Sequence, residues 1–145
     1  MAKLSVNLVS WNGAKYVPHL FDSLRKQTFL DWKLLIVDNN SQDGMAEAMK
    51  KELVDFPVPH EIIENKTNLG FAGGHNLAFK KNDSEYILML NQDMYLAPDC
   101  LEKIVKFLDN NPQVAAVSPR LMKWNFVLLT DSADNQYNDA DKLQK

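Results

Sequence analysis

The sequence predicts an α/β sandwich built on a mainly parallel central sheet. Three observations predict it. Short segments rich in aliphatic and β-branched residues alternate with amphipathic helical patterns, as in sheets covered on both faces. Polar residues gather directly after the apolar segments, where the loops of a parallel sheet converge. The 145 residues are 46% apolar and 24% charged with both signs mixed, the composition of a globular chain that can bury a core.

Leu4 to Ser10 reads as the first strand, punctuated by Asn12-Gly13. Val17, Leu20, Phe21 and Leu24 then recur at the i, i+3, i+4, i+7 spacing of a helix buried on one side, and Pro18 fits its first turn. Trp32 to Val37 is the second strand, ending on Asp38. The polar turn Asn40-Ser41-Gln42-Asp43-Gly44 leads to a weaker helix from Met45 to about Val54. Phe56 to Pro59 interrupts the chain before a third strand, Glu61 to Glu64. Lys66 to Gly74 reads as a glycine-containing loop entering a helix at about His75 to Lys81. Tyr86 to Leu90 is the fourth strand, ending at Asn91. Leu101, Ile104, Val105 and Leu108 share one face of a helix from Pro98 to Asp109, and Val114 to Val117 is expected as a fifth short strand. Residues 1–130 are expected to form one domain. Residues 131–145 are polar, rich in Asp and Asn, and expected to be a poorly ordered tail.

Charge and composition exclude several function classes. A net charge of −3 gives no basic surface for nucleic acid. No apolar run approaches the roughly 18 residues of a membrane span, and the N-terminus lacks the apolar stretch of a signal peptide. Cys100 is the single cysteine, so no internal disulfide forms and a cytoplasmic setting is expected.

Four polar loops carry the candidate chemistry. Ser10, Trp11 and Asn12 follow the first strand, and the Trp11 ring suits either stacking on a base or capping the core. Asp38 ends the second strand with Asn40 beyond it. Its carboxylate suits acceptance from a pyrimidine N3–H or a ribose hydroxyl, and equally a turn or helix cap. Asn68, Gly70, Gly74 and Asn76 lie in the glycine-rich stretch before a helix. Such a stretch lets backbone approach a ligand and favours an anion at the helix start, or simply makes a flexible connection. His75, within it, reads more readily as a packing residue than as a catalyst. Asn91, Gln92 and Asp93 follow the fourth strand. A carboxylate at Asp93 suits Mg²⁺ or Mn²⁺ shared with substrate phosphates, although Asn91 stands where a second carboxylate would strengthen the site.

Taken in order, Val9-Ser10-Trp11-Asn12, Leu35 to Gly44, Asn68 to Asn76 and Leu90-Asn91-Gln92-Asp93 resemble family 2 glycosyltransferases, particularly their rhamnosyltransferase-like branch. Gln27, Pro98 and Asp99 match as well, and the resemblance covers roughly Leu4 to Leu121. It implies a GT-A, Rossmann-like fold and an inverting transfer from a nucleoside-diphosphate sugar (UDP, dTDP or GDP) to a glycan or lipid-linked acceptor. It places Asp38 and the Ser10–Trp11 turn at the nucleoside and the Asn68 to Asn76 loop beside the diphosphate. Asp93 becomes the retained acid of the metal motif, with Mg²⁺ or Mn²⁺ as cofactor. It also implies polysaccharide biosynthesis and peripheral association at the inner face of a membrane. The family's catalytic base lies well downstream of the metal motif, while this sequence runs about fifty residues past Asp93. Asp131 and Asp134 are therefore set aside as bases and none is assigned. The competing reading is a non-catalytic nucleotide-sugar-binding module. A dinucleotide-dependent oxidoreductase is excluded because Ser10-Trp11-Asn12-Gly13 is no G-x-G-x-x-G turn.

Overall fold

The computed structural model describes residues 1–122. Four strands, β1 (Leu4–Ser10), β2 (Trp32–Asp38), β3 (His60–Glu64) and β4 (Tyr86–Asn91), form one sheet in the order β3-β2-β1-β4, every pair parallel. The helices are α1 (Val17–Arg25), α2 (Met45–Glu52), α3 (Gly70–Lys80) and α4 (Cys100–Asn110), and a 3₁₀ turn at Ala14–Tyr16 precedes α1. The α/β fold with a parallel sheet and covering helices is as expected.

Alternation along the strands divides the sheet into two unequal faces. Leu4, Val6 and Leu8 of β1, with Leu34 and Ile36 of β2, point to the side where α1, α2 and α4 bring Leu20, Phe21, Leu24, Met45, Met49 and Leu101, all buried. Each such side chain contributes about 1.5–3 kcal/mol on leaving water. On the other face a smaller cluster of Leu35, Val37 and Ala78 lies under α3, joined by Val9, Ile63 and Leu77.

The strand order explains where a site can form. The chain steps outward from β1 to β2 to β3, then returns past β1 to lay down β4. Right-handed crossovers put helices of opposite travel on opposite faces, so α3 leaves the side occupied by α1 and α2. The loops after β1, β2 and β4 leave toward α1, α2 and α4 on one face and the loop after β3 toward α3 on the other; open α/β sheets hold their binding crevice beyond the carboxyl ends of the strands at such a reversal.

Two expectations are corrected here. Helix α3 begins at Gly70, so the glycine-rich stretch is mostly helix rather than loop. Glycine is a poor helix former, but a Cβ on Gly74 would come within 2.6 Å of a Val9 methyl and 3.2 Å of Asn39 Nδ2. Close packing of α3 on the sheet outweighs propensity. The stretch Val114 to Val117 forms no strand: it is largely exposed, has no strand beside it among the described residues, and starts in a turn where Val114 N–H donates to Asn111 O (2.9 Å). A strand is stable only with a pairing partner. The expectations for the last part of the first domain, beyond residue 122, and for the 131–145 tail lie outside the described residues.

Candidate functional site

The carboxyl ends of β1 and β2 meet in register at Ser10 and Asp38. Both are buried, and Asp38 is only 2% exposed. Ser10 Oγ donates to Asp38 Oδ1 (3.1 Å), while Ser41 donates its hydroxyl to Oδ1 (2.6 Å) and its backbone N–H to Oδ2 (2.9 Å). An ionised carboxylate buried at a strand end needs such donors. The turn-capping role is thus realised at the carboxyl end of β2.

The loops after β1 and β2 are stitched to one another. Asn12 donates its N–H to Ser41 Oγ (3.0 Å) and accepts the Gln42 N–H on Oδ1 (2.8 Å), and Ala14 N–H reaches Asp43 Oδ2 (2.8 Å). Asn12 and Asn40 both adopt positive φ, 47° and 62°, which Asn tolerates better than most residues. Asn40 is exposed, and its Oδ1 accepts from Gln42 Nε2 (3.1 Å).

Asn39, absent from the sequence-level candidates, is the buried link to the opposite face. It donates its N–H to Ser10 O (2.8 Å) and Nδ2–H to Gly70 O (3.0 Å), and accepts from Asn65 Nδ2 (2.9 Å) on Oδ1. It joins the ends of β1, β2 and β3 to the start of α3. Adjacent asparagines cannot be told apart by composition; the alternation that turns one inward and leaves its neighbour exposed was the available signal.

At α3 the candidates separate. Asn68 Oδ1 accepts the Gly70 N–H (2.7 Å), an Asx turn into the helix, and Gly70 takes the left-handed conformation (φ 71°). Gly74 faces Val9 and Asn39 and serves packing. Asn76, two residues on and roughly 200° around the axis at 3.6 residues per turn, is exposed away from the sheet. Gly74 and Asn76 therefore stand on different sides of α3, and the free helical amides belong to the turn beginning at Gly70. His75 is 2% exposed and packs edge-on against Phe71 (4.4 Å between centroids), with neither ring nitrogen hydrogen-bonded. Burial holds its pKa below the ordinary value.

The fourth loop closes the site. Asn91 ends β4 beside Val9 of β1. Gln92 reaches back over β1, accepting the Trp11 N–H on Oε1 (2.8 Å) and donating Nε2–H to Trp11 O (3.0 Å). Trp11 keeps its ring half exposed. Asp93 is exposed at the crevice rim, and no cluster of three acidic, His or Cys side chains suited to a metal exists among the described residues. A shallow depression lined by Lys33, Pro59, His60 and Lys81 lies at the opposite edge of the sheet, away from these loops.

A parallel sheet with helices on both faces and a reversal of strand order defines a doubly wound type of α/β protein. The family model for glycosyl transferase family 2 matches residues 5–139, and the chain belongs to that family. An uncharacterized glycosyltransferase of Haemophilus influenzae is 30% identical over 111 residues, 77% of this chain and 36% of the relative. The poly(ribitol-phosphate) β-N-acetylglucosaminyltransferase TarS of Staphylococcus aureus is 28% identical over 114 residues, 77% of this chain and 20% of that enzyme. The crystal structure of TarS superposes with a TM-score of 0.69 at 25% identity, covering 83% of this chain and 23% of that one. A mannosyltransferase of Pyrobaculum calidifontis, solved in complex with GDP-Man and Mn²⁺, shares the fold with a TM-score of 0.78 at 23% identity, over 88% of this chain and 38% of its own. The fold is therefore GT-A. The chain spans a fifth to about two fifths of the length of these proteins. No helix among the described residues is long and apolar enough to cross a membrane.

Proposed function

We propose that this chain forms the donor site of an inverting glycosyltransferase, holding a nucleoside-diphosphate sugar across the crevice between β1 and β4. One observation carries the proposal: the Ser10–Asp38 pair and the Asn91–Asp93 segment meet at the reversal of strand order. Ser10, Trp11, Asn12 and Asp38 form the nucleoside end, with Asn40 at its exposed margin. Asp38 keeps one acceptor site, on Oδ2, that its three protein donors do not consume and with it accepts from the base or ribose, while the Trp11 ring lies against the base. Asp93 with Asn91 forms the diphosphate end and holds Mg²⁺ or Mn²⁺, which neutralises charge on the departing diphosphate when bound. Family membership supports sugar transfer. By its motifs the chain falls in the rhamnosyltransferase-like branch, with a UDP, dTDP or GDP donor and a glycan or lipid-linked acceptor at the cytoplasmic face of a membrane.

The rival, a nucleotide-sugar-binding module without turnover, draws on another observation. Among the described residues beyond Asp93, Asp99 pairs with Lys103 (2.6 Å), Glu102 accepts from Thr28 (2.7 Å), and Asp109 holds Lys3 and Tyr86 (2.8 and 2.9 Å). These carboxylates serve α4 and its neighbours rather than an acceptor hydroxyl. Calorimetric titration with UDP, dTDP and GDP, with and without Mn²⁺, tests the donor site: saturable binding of one nucleotide, tightened by metal, is expected. No binding to the folded chain would refute it. Sugar release from the matching donor, measured alongside, separates transferase from module.

A further inference from the structure

Gln92 lies between the two residues of the metal motif, yet its side chain does not extend toward a metal. Its amide is spent on the opposite loop, one bond to the Trp11 N–H (2.8 Å) and one to the Trp11 carbonyl (3.0 Å). A primary amide that pairs with both backbone groups of one residue fixes that residue's orientation as a strand partner would. The room for it is made two residues on: a Cβ at Gly13 would sit 2.4 Å from Gln92 Nε2 and 2.6 Å from Cδ. Gly13 is not held to glycine by a left-handed backbone, since its φ is −134°. What the position excludes is a side chain where the Gln92 amide lies. The same turn is tied from its far side by the Asn12 bonds to Ser41 and Gln42, and Gln92 completes its support from the β4 side.

We propose that Gln92 is a positioning residue for the nucleoside end of the site: through its two bonds to Trp11, with Gly13 giving them room, it holds the Trp11 turn against the base. This rests on the donor-site reading above. The motif following β4 then divides its work, Asp93 serving the diphosphate and Gln92 the base. Loss of Gln92 frees the Trp11 backbone to rotate, so the ring loses its preset orientation and ordering it is charged against binding.

The test uses nucleoside monophosphates in EDTA, which sample the base and ribose without metal. UMP, dTMP and GMP are titrated against wild type, Gln92→Ala, Gln92→Glu and Gly13→Ala, with the matching diphosphate measured with and without Mn²⁺. Two ordinary hydrogen bonds correspond to about a tenfold loss, so Gln92→Ala and Gly13→Ala should each weaken metal-free monophosphate binding about tenfold. Gln92→Glu keeps the acceptor for the Trp11 N–H and should fall between. The gain in diphosphate affinity on adding Mn²⁺ should stay the same in wild type, Gln92→Ala and Gly13→Ala, which general damage to the site would not produce. Hydrogen exchange at the Trp11 amide reports the brace without any ligand, and should quicken in Gln92→Ala and Gly13→Ala while β1 and β2 amides stay protected. Unchanged monophosphate binding with a reduced Mn²⁺ gain would assign Gln92 to the metal end and overturn the proposal, leaving the donor site intact. A wild type that binds none of the nucleotides would overturn the donor-site reading and this inference with it.

Discussion

The two ends of the crevice are built by opposite means. The end proposed for the nucleoside is cross-linked about a buried centre: Asp38 accepts three hydrogen bonds, Asn39 spans three strand ends and the start of α3, and Asn12 ties one loop to the next. The end proposed for the metal is an exposed loop that follows the Val9–Asn91 pairing and is tied to the Trp11 turn by Gln92, with Asp93 exposed. A rigid, pre-ordered end recognises a rigid part of a ligand, since little entropy is lost on binding. An end with one carboxylate must be completed by the ligand's own phosphates and an ion. On the proposed donor-site reading, the difference means that the protein specifies the nucleoside and leaves the diphosphate to finish its own site.

That contrast can be broken most forcefully at Asp38. Asp38→Ala removes the nucleoside acceptor and leaves Ser10 and Ser41 without their partner; hydrogen bonds to charged groups are each worth about 1.5–3 kcal/mol. UDP, dTDP or GDP binding should weaken by about a hundredfold whether or not Mn²⁺ is present, as read by calorimetry. An unchanged affinity would return Asp38 to turn capping alone. Next in size is Gly74→Ala. Its methyl must displace Val9 or Asn39, and overpacking of this kind costs about 1–3 kcal/mol, more than the roughly 1 kcal/mol that alanine gains as a helix former. Urea unfolding should show the net loss, and a more stable variant would mean that α3 is free to shift outward.

Asp93→Ala sharpens the comparison from the other end. It should abolish most of the gain in diphosphate affinity conferred by Mn²⁺, about tenfold for one charge-assisted ligand. If the gain survives, the ion is held elsewhere. The smallest effect belongs to His75. In the unfolded chain its imidazole takes up a proton near the ordinary 6.5, whereas burial in the fold holds its pKa lower. Below 6.5 the unfolded state therefore binds more protons, so the stability present above that pH declines as pH falls. Urea midpoints between pH 7 and 5 should slope less steeply in His75→Phe than in wild type; equal slopes would place the acid sensitivity elsewhere.

Much of this was legible in the sequence. The apolar runs Leu4 to Ser10 and Trp32 to Val37 fall on β1 and β2, and the Leu101, Ile104, Val105, Leu108 stripe falls on α4, because burial imposes those patterns locally. The polar strand ends Ser10, Asp38 and Asn91 were legible for the same reason. What sequence could not reveal was whatever depends on contact between distant segments. Three glycines before a helix look like a loop until Val9 and Asn39 are seen to require Gly74. Gln92 looks like a ligand-facing polar residue until Trp11, 81 positions away, is found against it. Val114 to Val117 looks like a strand until its lack of a pairing partner among the described residues is known.

The central claim, a donor site spanning the carboxyl ends of β1, β2 and β4, is tested most directly by ¹⁵N–¹H spectra of the labelled chain. Nucleoside diphosphate is added first, then substoichiometric Mn²⁺. The account predicts amide shifts at Ser10 to Asn12 and Asp38 to Ser41 on adding nucleotide, followed by paramagnetic broadening centred on Asn91 to Asp93. Shifts gathered instead around Lys33, His60 and Lys81 at the opposite edge of the sheet, or broadening that spares Asp93, would contradict it.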